Sequence, residues 1–184
     1  EVNVRKFFKI SYDEFKKQVS DDKELYDSII LPTRSTKCSA AYDIRTIDSC
    51  VIKPGESMIL NTGLKVCMNS DEVLYIYSRS SLGYKYNVCL TNCVGVIDAD
   101  YFDNKDNEGH FKVKLTNNGK EDFVINRNDR VAQGVFMKYL TVDDEEAHKQ
   151  RFYSRCRQPW VKRSLERYMD NFSTIKKKKK FLVE

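Results

Sequence analysis

Residues 51–68 read VIKPGESMILNTGLKVCM. Short apolar runs flank two turn signals, Pro54-Gly55 and Asn61-Thr62-Gly63, so the stretch reads as strands separated by turns. The same punctuation continues outward through EVLYIYSRS (72–80), NVCLTNCVGVID (87–98), HFKVKLTNNG (110–119) and DFVINRNDRVAQGVFMKYL (122–140). Asn118-Gly119 is a strong hairpin signal, because both residues tolerate positive φ. Parallel sheets need crossovers of ten or more residues, usually helical, and no such period separates these runs. The fold class is therefore all-β, as a sandwich, jelly roll or barrel.

The flanks differ. Residues 2–10 suggest a short strand, and Ser11 followed by Glu14 forms a capping box, so a helix is expected from about Tyr12 with Phe15, Val19 and Leu25 on its apolar face. After Leu140 come TVDDEEAHKQ, then the basic, aromatic RFYSRCRQPW, then VKRSLERYMDNF, which fits a short amphipathic helix, and five lysines at 176–180. This divides the chain into an N-terminal strand and helix (1–30), a β domain (31–140) and a C-terminal arm with a basic tail (141–184).

Composition narrows the classes. The chain has 184 residues, with 41% hydrophobic and 32% charged, which suits one globular domain with an appendage. Its formal net charge is +5, but residues 151–184 hold 11 Lys/Arg against 3 Asp/Glu. The remaining 21 basic and 24 acidic residues leave the body at −3. No apolar stretch reaches the ~18–20 residues of a membrane span. EVNVRKFFKISYDEF lacks the apolar core of a signal peptide. The six cysteines show no CxxC pair or zinc spacing and are expected as free thiols in a reducing cytoplasm.

Candidate chemistry concentrates between Ser78 and Tyr101. SRSSLG sets an arginine beside hydroxyls and a glycine, which suits phosphate oxygens but, taken alone, fits an ordinary polar turn at a strand end better. In VGVIDADY, a strand would place Asp98 and Asp100 on one face. There they would bind a hard cation, orient a water nucleophile, or simply end the strand in solvent. Asp129-Arg130 reads as a turn carrying an ion pair.

In order, LPTRSTKCSAAYDI, SRSSLGYKYNV, TNCVGVIDADY and NDRVAQGVF resemble the first four motifs of the trimeric dUTP diphosphatase (dUTPase) family, over about residues 31–136. The DNKDNEGH segment and the helical opening resemble its Gram-positive bacterial and phage type. The resemblance implies a homotrimer of β jelly rolls (β-clip type), with three active sites between subunits. It implies hydrolysis of dUTP to dUMP and pyrophosphate, with Mg2+ on the phosphates. Asp98 matches the carboxylate that orients the attacking water. As an exposed carboxylate is a weak base, its contribution would be mainly alignment. Asp43 and Gln133 match positions holding Mg2+ through coordinated waters, as suits an ion that dehydrates reluctantly. Arg79, Ser80 and Ser81 match phosphate contacts. Tyr101 matches the ring packed on the deoxyribose, and Asn92 with the backbone of Gly95, Val96 and Ile97 matches the uracil pocket. Lys112 matches its edge through main-chain atoms.

Three departures stand out. Ala41 and Asn128 occupy positions where the family favours glycine, and Asn tolerates the left-handed region. No glycine follows Gly134, so the family's Gly-rich fifth motif, a phosphate-covering lid, is missing. The tail, with Arg151, Phe152 and Trp160, is then a substitute lid, the mark of a slower enzyme, or a segment with another role. The alternative function is a dUTP-binding regulatory protein on the same fold, its basic tail engaging nucleic acid or a protein partner. Like-charge runs are usually solvated, so nucleic acid is the weaker expectation. Related dCTP deaminase chemistry conflicts with VGVIDADY and its spacing to RSSLG.

Overall fold

A computed structural model describes residues 5–142. The readings of the C-terminal tail, and of Cys156 within it, lie outside these residues. Described in chain order are β1 (Lys6–Lys9), α1 (Tyr12–Gln18), α2 (Lys23–Asp27), β2 (Thr33–Arg34), β3 (Tyr42–Arg45), β4 (Cys50–Ile52), β5 (Ser57–Cys67), β6 (Glu72–Tyr77), α3 (Ser80–Tyr86), β7 (Val88–Leu90), β8 (Val94–Asp98), a 3₁₀ turn (Ala99–Tyr101), β9 (Phe111–Asn117), β10 (Phe123–Ile125) and β11 (Arg130–Lys138).

One sheet runs β1-β5-β9-β7 and a second β2-β3-β11-β6-β8, with β10-β4 as a small third ribbon. In β9, FKVKLTN alternates buried and more exposed positions, as a half-buried strand should. Phe111, Val113 and Leu115 point into a single core with Leu60 and Leu64 of the same sheet and with Ile44, Leu74 and Ile76 of the other. Fully burying each aliphatic side chain contributes about 1.5–3 kcal/mol. The all-β expectation holds.

Local signals behave unevenly. Pro54-Gly55 forms its turn: Gly55 has φ 80 and the Glu56 N–H donates to the Lys53 carbonyl at 3.0 Å. The α1 cap forms, with the Glu14 N–H donating to Ser11 Oγ at 3.1 Å, and Phe15 is fully buried. The return half of the capping box does not come from Glu14. Glu108 accepts from the Ser11 N–H at 2.8 Å instead, while Glu14 bonds Lys17 and Gln18.

Two turn readings are corrected. Asn61-Thr62-Gly63 is a bulge within the 11-residue strand β5, where the register with β9 shifts between Asn61 and Leu64. Gly63 has φ 68, and a Cβ there would lie 2.6 Å from Ile29 Cδ1. Thr62 Oγ1 donates to the Phe111 carbonyl at 2.6 Å, which holds the bulge against β9. Asn118-Gly119 makes a corner between sheets, not a hairpin. Both sides of β9 are already paired, with β5 and β7, so β10 pairs with β4. Buried Asn117 fixes that corner by donating to the Ile52 and Glu121 carbonyls at 2.8 Å each.

Candidate active site

Two clusters hold the residues singled out above. The first lies where β6 ends. Residues 80–86 form α3 rather than a bare polar turn, with Arg79 extended at its N-cap and Asn87 left-handed at its C-cap (φ 55). On the neighbouring strands Asp43 pairs with Gln133, and Gln133 with Tyr77. Arg79 Nε lies 3.3 Å from Asp43 Oδ1, and Arg130 Nη1 lies 3.2 Å from Asp43 Oδ2. Ser35 Oγ donates to the same carboxylate at 3.0 Å, and Gln133 Nε2 donates to the Ser78 carbonyl at 2.9 Å. Asp43, with its side chain only 14% exposed, is thus held between two guanidinium groups.

Arg130 was not among the residues singled out for the site. Its expected partner was Asp129, but Asp129 instead accepts from the Asn126 N–H at 2.8 Å, closing the turn before β11. The left-handed Asn128 (φ 66) completes that turn and sends Arg130 toward Asp43. A cleft of about 650 Å3 opens beside α3, lined by Arg79, Ser81, Lys85 and Arg130, with Tyr86 and Phe123 in its wall. Their ring centroids are 5.1 Å apart.

Would this cluster suit Mg2+? Both Asp43 oxygens are engaged, so direct coordination would displace an arginine or Ser35. Contact through the ion's waters would not. Among the described residues no group of three or more His, Cys, Asp or Glu could enclose a metal. A hydrated ion completed by substrate phosphate therefore fits this donor set, and a fully protein-bound one does not.

The second cluster lies at β7 and β8. The strands are consecutive but belong to different sheets, each at its edge among the described strands. Residues 91–93 join them tightly: the Cys93 N–H donates to the Leu90 carbonyl at 3.1 Å, and Cys93 has φ 62. Two strand edges therefore diverge from one turn, with backbone donors and acceptors between them. Gly95 lets β8 pack closely on β6, since a Cβ would lie 3.0 Å from Ile76 Cβ on that strand, with Asn92 Nδ2 at 3.9 Å. Val96 is 56% exposed, while Ile97 packs against the core.

Asp98 ends β8, exposed, opposite Val73. The chain then winds into the 3₁₀ turn, so the strand alternation meant to put Asp100 on the same face as Asp98 stops at Asp98. Tyr101 is half-buried, and its hydroxyl donates to the His110 carbonyl at 3.3 Å and accepts from Asn107 Nδ2 at 2.7 Å. Lys112 is exposed on β9 opposite Asn61.

Behind Tyr101, His110 is buried. Its Nε2 accepts from the Gly63 N–H at 3.0 Å, which leaves Nδ1–H to donate to Gln18 Oε1 at 3.0 Å. Burial, with the Lys112 charge nearby, lowers its pKa to about 4. Glu108 is held down at about 2: burial opposes this, but hydrogen bonds from Ser11 and Lys65 outweigh it.

The two clusters touch in one chain, where the Leu90 N–H of β7 donates to Ser78 Oγ at 2.8 Å, but their carboxylates lie far apart. Asp98 lies in the row of Val73 and Met137, and Asp43 in the row of Gln133 and Tyr77. The rows are four residues apart along β6, about 13 Å, and Asp43 is three strands from Asp98, about 14 Å. The two carboxylates are thus roughly 19 Å apart by strand geometry.

The dUTPase family profile matches residues 27–158. The deoxyuridine 5'-triphosphate nucleotidohydrolase of Lactococcus lactis subsp. lactis (strain IL1403) is 48% identical over 118 residues, covering 64% of this chain and 79% of that protein. Among solved structures, the dUTPase from Streptococcus mutans superposes with a TM-score of 0.61 at 38% identity, over 66% of this chain and 95% of that one. A dUTPase from phage phi11 of S. aureus, a mutant in which a structural Mg(II) ion is coordinated, shares the fold with a TM-score of 0.60 at 19% identity, covering 82% and 100%. The two-sheet architecture is the dUTPase jelly roll, and the chain belongs to the dUTPase family.

Proposed function

We propose that this protein hydrolyses dUTP to dUMP and pyrophosphate, with water attacking the α-phosphorus, in a site assembled between copies of the chain. The observation that carries this reading is the pair of complementary half-sites in one chain. The open β7–β8 edges, ending at Asp98, suit a base, its sugar and the attacked phosphorus. The Arg79, Ser80, Ser81, Asp43 and Gln133 cluster suits a triphosphate and its ion.

Between the β7 and β8 edges, backbone N–H and C=O groups can read uracil as another strand would, a pattern cytosine fails. Tyr101 packs on the deoxyribose and leaves no room for a 2′-hydroxyl. Asp98 aligns the water, which lowers the barrier chiefly by placing the nucleophile. Arg79 and the Ser80 and Ser81 hydroxyls hold phosphate oxygens through charge-assisted hydrogen bonds. Asp43 and Gln133 would hold Mg2+ through its waters, where the ion would supply positive charge against that developing on the phosphates.

The ~19 Å gap requires Asp98 of one copy to meet the Arg79 cluster of another. Val94 and Val96, on the same face of β8 as Asp98, are exposed and apolar, which favours covering that face with a second copy. Head-to-tail contacts of this kind close into a ring, and the family resemblance makes the ring a trimer. Cysteine usage suits a cytoplasmic enzyme, and among the described residues no helix is long and apolar enough to cross a membrane.

Incubation with dUTP and Mg2+ should release pyrophosphate, and sedimentation should report three times the 21.6 kDa chain mass. Asp98→Asn should lower kcat by ~1,000-fold or more while sparing dUTP binding. Hydrolysis that survives this substitution would sink the assignment.

A further inference from the structure

The 103–110 segment meets the site at one place, Tyr101. Asn107 Nδ2 donates to the Tyr101 hydroxyl at 2.7 Å, while Asn104 Nδ2 donates to the Tyr101 carbonyl at 2.8 Å and to Asn107 Oδ1 at 2.8 Å. Asn104 Oδ1 accepts from the Asp106 and Asn107 N–H groups at 3.0 and 3.1 Å, so the segment folds around Asn104. Gly109, with φ 84, lies so close that a Cβ there would be 2.5 Å from the Tyr101 carbonyl oxygen. The far side is anchored too. Glu108 accepts from the Ser11 N–H at 2.8 Å, from Ser11 Oγ at 2.6 Å and from Lys65 Nζ at 3.0 Å.

We propose that Asn107 is a positioning residue for sugar selection. Its amide fixes the Tyr101 ring through the phenol oxygen, and the Glu108–Ser11 clamp ties this strut to helix α1. The proposal rests on the dUTPase reading above, in which the Tyr101 ring occupies the space a 2′-hydroxyl would need. A ring tethered at its hydroxyl cannot tilt to admit that group. A ring packed on the core but untethered can. Asn107 touches no reacting atom, so its loss should change the choice of substrate far more than the rate on the correct one.

The test compares full-length wild type, Asn107→Ala, Tyr101→Phe and the double variant. The readouts are kcat/KM for dUTP and for UTP, and separately the Kd of each nucleotide in EDTA, where nothing turns over. Asn107→Ala should lower the dUTP-over-UTP ratio about ten-fold, mainly through better use of UTP, with kcat on dUTP within two-fold of wild type. Tyr101→Phe keeps the ring, removes the tethered oxygen together with its longer bond to the His110 carbonyl, and should give at least the same drop. The double variant should fall no further than Tyr101→Phe alone.

An unchanged ratio in Tyr101→Phe, or an additive drop in the double variant, overturns the proposal. So does an unchanged ratio in an Asn107→Ala protein that melts like wild type. Should Asn107→Ala fail to fold, Tyr101→Phe decides alone. A wild type that releases no pyrophosphate defeats the functional reading instead, and the Kd ratios then judge the strut by themselves.

Discussion

The proposed phosphate end and the proposed base end of the half-site pair are built from different materials. At the phosphate end, charged side chains neutralise one another: Asp43 sits between Arg79 and Arg130, and each ion pair can be exchanged for a phosphate or hydrated-ion contact. The proposed base end offers backbone edges and a hydrogen-bonded loop, and the polar groups behind Tyr101 are already satisfied. Charge that can change partners suits a ligand that arrives with its own counter-ion. Fixed backbone suits a choice between bases and sugars that differ by single groups.

That contrast can be broken by substitutions confined to one end. The largest effect is expected from Arg79→Ala, which removes a phosphate contact and leaves Asp43 with one guanidinium. It should reduce kcat/KM for dUTP about 100-fold and weaken pyrophosphate binding in parallel. If pyrophosphate binding is untouched, the charged cluster is structural.

Acid should loosen the base end. His110 is neutral in the fold with a pKa near 4, below its ordinary 6.5, so the unfolded chain takes up its proton first. Stability is full above about pH 6.5 and falls as pH drops toward 4, by up to about 3 kcal/mol. Glu108 continues the loss from its ordinary 4.5 down to about 2, because its lowered pKa stabilises the fold only while it is ionised. His110→Gln should flatten the first window of a melting-temperature profile against pH. A profile equally steep there would mean that His110 titrates normally.

Gly95→Ala should be milder. The added methyl meets Ile76 at 3.0 Å, pushes β8 outward, and should weaken dUTP binding about ten-fold while pyrophosphate binding holds. Equal losses for both ligands would erase the distinction between the ends. Ser11→Ala is the smallest change. Loss of the α1 cap and of its Oγ contact to Glu108 should cost about 1 kcal/mol, read from denaturant midpoints.

The parts legible in sequence were those set by nearest neighbours. Ser11 capping the Glu14 N–H, Pro54-Gly55 and the left-handed Asn128 each act within four residues and appear as read, while the return half of the capping box passes to the distant Glu108. The misreadings share one cause. Asn61-Thr62-Gly63 and Asn118-Gly119 have turn chemistry, but whether a turn closes a hairpin depends on which strands are still unpaired, a property of the whole sheet. Asp98 and Asp100 would have faced together only if β8 had continued through Asp100. Arg130 stayed hidden because its partner Asp43 is 87 residues away, and no local pattern links them. The ordered motifs named the family and implied sites between subunits, and the strand register adds that Asp98 and Asp43 lie far apart in one chain.

The diverging edges of β7 and β8 have a consequence for the enzyme between turnovers. An unpaired strand edge is a template for any other extended chain, and natural sheets usually blunt theirs. Here β7 and β8 each end a sheet among the described strands, the Leu90 N–H of β7 being taken by Ser78 Oγ at 2.8 Å, and the function proposed above sets a base between them. On that reading a bound nucleotide would fill the gap as a strand-like plug. Substrate depletion would then leave those edges to pair with another extended chain, and nucleotide would suppress such self-association.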